Sequence, residues 1–186
     1  MRNMRIIAGE FRGRKIKQPE SDQVRPTKDR IREAVFNIIT ELVPDANVLD
    51  LFAGSGAFGL EALSRGAKKA VFVEQGRENG GVIEENIKSL DVGDRAKVII
   101  SDVFKSLEEL KEEKETFNLV FADPPYLKSV AKKTLIKINH YDILNHSGSL
   151  IIEHHTGESL PDSEGDVSIV KRKTYGNTSI SIYRKK

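Results

Sequence analysis

The chain of 186 residues contains no cysteine. That excludes a disulfide framework and any thiolate metal site, and it suits a reducing compartment. A long apolar run is also missing. The opening MRNMRIIAGEFRGRK lacks the hydrophobic core of a signal peptide, and no stretch reaches the ~20 apolar residues of a membrane span. The expected location is therefore the cytoplasm. Nor does one sign of charge prevail: 30 Lys+Arg stand against 28 Asp+Glu, a net charge of +2. With 38% hydrophobic and 31% charged residues, the composition is that of an ordinary globular protein. The length fits one domain with a small appendage.

The near-balance of charge conceals an asymmetry. Residues 1–32 carry ten Lys/Arg and four acids, leaving −4 for the remainder. Strand-like pieces RIIAGEF and RKIK, joined by Gly13, lie in this basic stretch. The expectation is a basic hairpin arm over 1–26 that touches a polyanion, ahead of a more neutral domain over 27–186. Its candidate RNA contacts are Arg12, Arg14, Lys15 and Arg25.

The rest of the chain alternates. TKDRIREAVFNIITE spaces Ile31, Val35, Ile38 and Ile39 as a helix does, with Thr27 as its N-cap and Pro44-Asp45 beyond its end. Strand-like runs then take turns with helical ones: ANVLDLF, LEALSRG, KAVFVE, ENIKSL, AKVIIS, FKSLEELKEE, FNLVFA, a helix near 128–139, and GSLIIEH. VSIVKRK and TSISIYRK read as a closing antiparallel pair. The pattern predicts an α/β fold with a mostly parallel sheet and helices on both faces. Gly80-Gly81 falls where the second helix of the sheet should be. Because each Gly costs a helix roughly 1 kcal/mol relative to Ala, that helix is expected to start after Gly81 or to have a distorted first turn.

VLDLFAGSGAFGLEAL places Gly54, Gly56 and Gly59 between a strand and a helix. GxGxxG alone is a weak signal, met in plain tight turns as well as in dinucleotide sites. Two acids shift the balance. Asp50 would repel a pyrophosphate but suits an ammonium group, and Glu74, eighteen residues beyond Gly56, can accept ribose hydroxyls. A ligand with a ribose, a positive charge and no phosphate fits, and S-adenosylmethionine is such a ligand. Asp102 ends the third strand and can accept from an adenine amino group. A single strand-end acid is usually a helix N-cap; three in register are more specific.

The fourth strand ends in FADPPY. A residue before proline is pushed into extended conformation, so Asp123 and Pro124 form a stiff ledge. The Asp123 carboxylate and the Pro124 carbonyl offer two acceptors for the two hydrogens of an NH2 group, and Tyr126 offers a face on which a base stacks. Such a grip returns the delocalised lone pair of a nucleobase amine for in-line attack on a methyl sulfonium. Glu153, His154 and His155 do not suggest a metal site, because neighbouring strand residues face opposite ways.

Taken together, LDLFAGSGAFGLEALSRGA, Glu74 and FADPPY resemble the Rossmann-like class I S-adenosylmethionine-dependent methyltransferases that modify exocyclic amines. With RIIAGEFRGRKI, RPTKDRIREAVFNII and KTYGNTSISIY added, nearly the whole chain is similar to the bacterial 16S rRNA guanine-N2 methyltransferase family, the D-type small-subunit methylases. That resemblance implies a seven-stranded, mostly parallel sheet with an antiparallel C-terminal pair. It implies a cofactor site of Asp50, Phe52, Ala53, Gly54, Gly56, Glu74, Asp102 and Val103, and a catalytic ledge of Asp123, Pro124, Pro125 and Tyr126. It further implies 16S rRNA or an assembling 30S subunit as partner, and a monomer without metal. DPPY is shared with DNA adenine-N6 and protein glutamine methylases. A DNA adenine methyltransferase, and a non-catalytic RNA-binding assembly protein on the same fold, are therefore the rival readings.

Overall fold

The computed structural model describes residues 4–19, 26–126 and 129–186, and of residues 26–28 the backbone only. A two-stranded hairpin, β1 (Met4–Arg5) antiparallel to β2 (Lys15–Ile16), precedes helix α1 (Pro26–Ile38). There follow β3 (Asn47–Leu51), α2 (Ala57–Ser64), β4 (Lys69–Glu74), α3 (Arg77–Leu90), β5 (Ala96–Ile100), α4 (Val103–Glu112), β6 (Phe117–Ala122), α5 (Val130–His140) and β7 (Leu144–His155). The chain closes with β8 (Ser163–Glu164), β9 (Val167–Tyr175) and β10 (Thr178–Lys185). The sheet order is β5-β4-β3-β6-β7-β10-β9-β8, parallel from β5 to β7 and antiparallel beyond. All seven expected strands are present; the two-residue β8 adds an eighth at the edge.

The strands are apolar on both faces because helices cover both. Phe72, Phe121 and Ile151 face one cluster with α1, α2, α3 and the hairpin, while Leu49, Leu51, Val120 and Ile152 face another built with α4 and α5. Strand order reverses beside β3: the chain builds outward to β5, then returns to place β6 on the other side. In open α/β sheets the crevice outside the strand C-termini at such a point receives ligands.

Two helix expectations need correction. Helix α3 starts at Arg77 and runs through Gly80 and Gly81. A Cβ on Gly80 would lie 2.7 Å from Ile100 Cδ1, so the glycine lets the helix approach β5, a tertiary reason invisible to propensity. Gly81 has nothing within 4 Å of such a Cβ. Helix α1 begins at Pro26, which places Thr27 inside its first turn and not at the N-cap position.

The hairpin is not a free arm. Met4, Ile6, Phe11 and Ile16 are buried in the first core cluster. Its connecting loop is bound to α2 by two polar residues. Glu61 is fully buried and accepts from the N–H groups of Ile7 (2.8 Å) and Ala8 (3.0 Å) and from Arg65 Nε (2.7 Å). Ser64 Oγ donates to the Ala8 carbonyl and accepts from Phe11 N–H, while its own carbonyl accepts from Glu10 N–H. A buried carboxylate survives only when paired in this way. Gly9 makes the close approach feasible. Its φ is +84°, and a Cβ there would meet the Ser64 carbonyl oxygen at 1.9 Å.

Candidate active site

The glycine loop between β3 and α2 is built from left-handed backbone: Gly54 at φ 57°, Gly56 at φ 78°, and Phe52, with a side chain, at φ 56°. A bulky residue in that region is strained and persists only where the surroundings hold it. Here Ala53 N–H donates to Val73 O (3.1 Å) and Gly56 N–H to Ala53 O (2.7 Å). The Phe52 ring meets Phe104 edge-on, 6.5 Å between centroids. Asn86 of α3, buried and missed by sequence reading, donates through Nδ2 to the Ser55 carbonyl (3.1 Å). The same side chain accepts from Lys17 N–H (2.7 Å) and donates to Lys17 O (3.0 Å). One amide thus joins the loop to the strand end of the basic hairpin.

Acids occupy the C-terminal edge of every parallel strand. In sheet order they are Asp102 after β5, Glu74 on β4, Asp50 on β3, Asp123 after β6 and Glu153 on β7. Glu74 accepts from Gly54 N–H (2.9 Å) and Gly76 N–H (2.8 Å), one bond to each oxygen. Asp102 caps α4, accepting from Phe104 N–H (2.9 Å) and Lys105 N–H (3.0 Å) through Oδ1. Asp50 is buried and accepts from Gly59 N–H at 2.9 Å. Its carboxyl is pushed up to about 8, first by burial and then by the neighbouring charges of Asp123 and Glu74, against the lowering effect of the Gly59 bond.

A cleft of about 420 Å³ runs along this edge. Asp50, Phe52, Ala53, Gly54, Glu74, Asp102 and Val103 line it at one end, and Asp123 and Pro125 at the other. Gly56 lies behind the wall, where it is the N-cap of α2. Pro124 is buried and Pro125 exposed. Tyr126 donates its hydroxyl to Glu153 Oε1 (2.7 Å) and shares a 3.0 Å bond with Thr178 Oγ1. Burial above all, aided by Glu153, holds that phenol above its ordinary value, so it remains a donor.

Sequence reading missed Glu153 and Arg32, which also line the cleft. GSLIIE ends on an acid as KAVFVE does, and that repeated pattern was the available signal for Glu153. Apart from Asp29 one turn earlier in α1, the partners of Arg32 come from the hairpin and α2, which left it without a signal. Its Nη2 donates to Arg5 O (2.8 Å), and its Nε lies 4.0 Å from Glu61. Among the described residues no group of His, Cys, Asp and Glu is placed to hold a metal. His154 is buried and bonded to Ser181 Oγ at 2.9 Å.

Of the basic residues assigned to RNA, Arg12 and Lys15 are exposed with no ion pair among the described residues. Arg14 turns back to donate to the Ser89 carbonyl at the end of α3. Arg25 lies outside the described residues. No helix among the described residues is long and apolar enough to cross a membrane.

A doubly wound sheet with a reversed antiparallel edge, a glycine loop and an acid-lined crevice defines a Rossmann-like methyltransferase. The chain belongs to the family described as Conserved hypothetical protein 95, whose pattern matches residues 4–184. It is 34% identical over 182 residues to ribosomal RNA small subunit methyltransferase D of Escherichia coli strain K12, covering 98% of this chain and 90% of that one. A solved Escherichia coli structure named "Putative methyltransferase yhhF" superposes with a TM-score of 0.85 at 32% identity, covering 99% and 98% of the two chains. The Thermus thermophilus 16S rRNA N2 G1207 methyltransferase, solved with AdoMet and guanosine, shares the fold at TM-score 0.74 and 19% identity, over 99% of this chain and 50% of that one.

The state of Asp50 generates a prediction. In the folded protein it keeps its proton up to about pH 8, whereas an unfolded Asp loses it near pH ~3.9. Between those values the unfolded chain binds fewer protons, so stability falls as pH rises. Asp50→Asn mimics the protonated acid and keeps an acceptor for Gly59 N–H. Thermal unfolding of the protein alone should give equal midpoints for the two proteins near pH 4. By pH 8 the variant should be the more stable by at least about 1 kcal/mol, or roughly 2–4 °C. Parallel midpoint curves across that range would show that Asp50 is ionised.

Proposed function

We propose that this rRNA methyltransferase transfers a methyl group from S-adenosylmethionine to the exocyclic N2 amine of a guanine in 16S rRNA. The observation that carries the reading is that one cleft is lined by Asp50 and Glu74 together with Asp123: the first two suit a cation and a diol, the third an amine. The names of the relatives, which are rRNA methyltransferases, favour RNA over DNA as substrate.

The donor set fits the cofactor. A carboxyl pushed up to about 8 by burial, and further by the charges of Asp123 and Glu74, gains most from a cation, as the cofactor's ammonium and sulfonium groups supply. Glu74 already accepts two N–H bonds, yet a carboxylate has about four acceptor sites, enough for ribose hydroxyls as well. Phe52, Ala53, Gly54, Gly56 and Val103 shape the backbone around it, and Asp102 stands at the adenine end. S-adenosylmethionine supplies an electrophilic methyl group on a sulfonium sulfur that departs as a neutral thioether.

On the other side, Asp123 and the Pro124 carbonyl take the two hydrogens of N2, which localises the nitrogen lone pair towards the methyl carbon. As the N–C bond forms, N2 gives up a proton to the Asp123 carboxylate. Pro125 and Tyr126 position the base, the latter by stacking, with its hydroxyl fixed by Glu153 and Thr178. RNA is bound chiefly by exposed Arg12 and Lys15 of the hairpin, with Arg14 and Arg25 as further contacts, and the chain acts as a monomer on 16S rRNA or an assembling 30S particle.

Two outcomes test this reading. Mass mapping of 16S rRNA from cells lacking the gene should show one guanine without its N2-methyl mark. The wild-type gene should restore the mark and Asp123→Ala should not, although the variant binds cofactor normally. A complete methylation pattern in the deletion strain would refute the substrate assignment. Separately, Arg12→Ala/Lys15→Ala should flatten the salt dependence of RNA affinity by about 1.4 log units per log unit of salt, since each single-strand phosphate contact contributes roughly 0.7. Titration of an rRNA fragment at several salt concentrations measures this, and identical slopes would place the RNA elsewhere.

A further inference from the structure

The fifth acid of the edge has no part in the grip on the amine. Glu153 is only 6% exposed, lines the cleft and lies on β7, the strand next to the one that carries Asp123. Parallel pairing sets Phe121 opposite Ile151 and Ala122 opposite Ile152. Asp123 follows directly after β6 and Glu153 lies on β7, so the two acids stand at the same end of neighbouring strands, and both line the cleft. Glu153 and Ile151 alternate onto one face, with Asp50 and Phe121, the face on which the cleft opens. The Tyr126 hydroxyl donates to Glu153 Oε1 and fixes its orientation.

A base held at Asp123 by its N2 amine presents a second donor beside the first, because guanine carries N1–H next to N2–H2 on its Watson–Crick edge. We propose that Glu153 is the residue that reads the base as guanine, accepting the N1–H while Asp123 and the Pro124 carbonyl hold N2. The inference rests on guanine N2 as the target. Adenine and 2-aminopurine have a bare acceptor at N1, which would face the Glu153 carboxylate with no hydrogen between them. A buried site built to accept a hydrogen bond rejects a partner that lacks the donor, since both polar groups are then left unpaired. Enzymes that act on an extruded base read its Watson–Crick edge in this manner.

The test uses an rRNA fragment carrying either guanine or 2-aminopurine at the methylated position; 2-aminopurine keeps the reacting amine and lacks N1–H. Wild-type enzyme should favour guanine in kcat/KM. In Glu153→Gln the side-chain amide can donate to a bare N1 as readily as accept from N1–H, and the preference should fall by about ten- to a hundred-fold. Both enzymes meet the same pair of RNAs, so the intrinsic reactivity of the analogue cancels, and a merely structural role for Glu153 would lower both rates together. An unchanged preference in the variant overturns the assignment. Should the variant fail to fold, binding of the two RNAs to wild-type protein decides, and equal affinities overturn it. A wild-type enzyme that places no methyl on guanine overturns the N2 reading itself and this inference with it, which separates the two failures.

Discussion

Crowding of like charge along one sheet edge is the constraint on which the rest of this structure depends. Five parallel strands each end near an acid, and four of the five are handled in different ways. Glu74 is spread over two backbone N–H groups, Asp102 is absorbed by the start of α4, and the Tyr126 hydroxyl donates to Glu153. Asp50, pushed up first by burial and then by the charges of Asp123 and Glu74, keeps its proton. An edge arranged so is poor at holding phosphate and good at holding cations and amines. The choice of ligand class is thus written into the order of the strands.

The basic hairpin is bonded closely to the body. Its backbone is held by Glu61 and Ser64 of α2, the helix that begins at the glycine loop, and by Asn86, which also holds Ser55 of that loop. On the proposed function, an acidic crevice repels RNA, and affinity for phosphate would come from an element beside it. Arg12 and Lys15 are exposed on an element whose other face, Met4, Ile6, Phe11 and Ile16, lies in the core.

Much of this was legible in the sequence because the signals are local. Apolar runs ending in Asp50, Glu74 and Asp123, with glycines or prolines next to them, report strand ends directly, and the alternation of strands and helices gave the sheet. What stayed illegible depends on contacts between distant segments. Gly80-Gly81 reads as a break in a helix, yet the helix continues because Ile100 packs where a Cβ would stand. Glu61 resembles any surface acid of an amphipathic helix until the N–H groups of Ile7 and Ala8 are brought to it. Glu153 precedes two histidines and was weighed only with them, although its place at the end of an apolar strand repeats that of Glu74.

The central claim, that a cationic cofactor offsets the charge crowded at Asp50, is tested most directly by counting protons. Calorimetric titration of the protein with S-adenosylmethionine at pH 7, in two buffers of different ionisation enthalpy, gives the number released on binding. With the Asp50 carboxyl at about 8 in the protein alone, wild type should release close to one proton more than Asp50→Asn. Equal proton counts for the two proteins would contradict it.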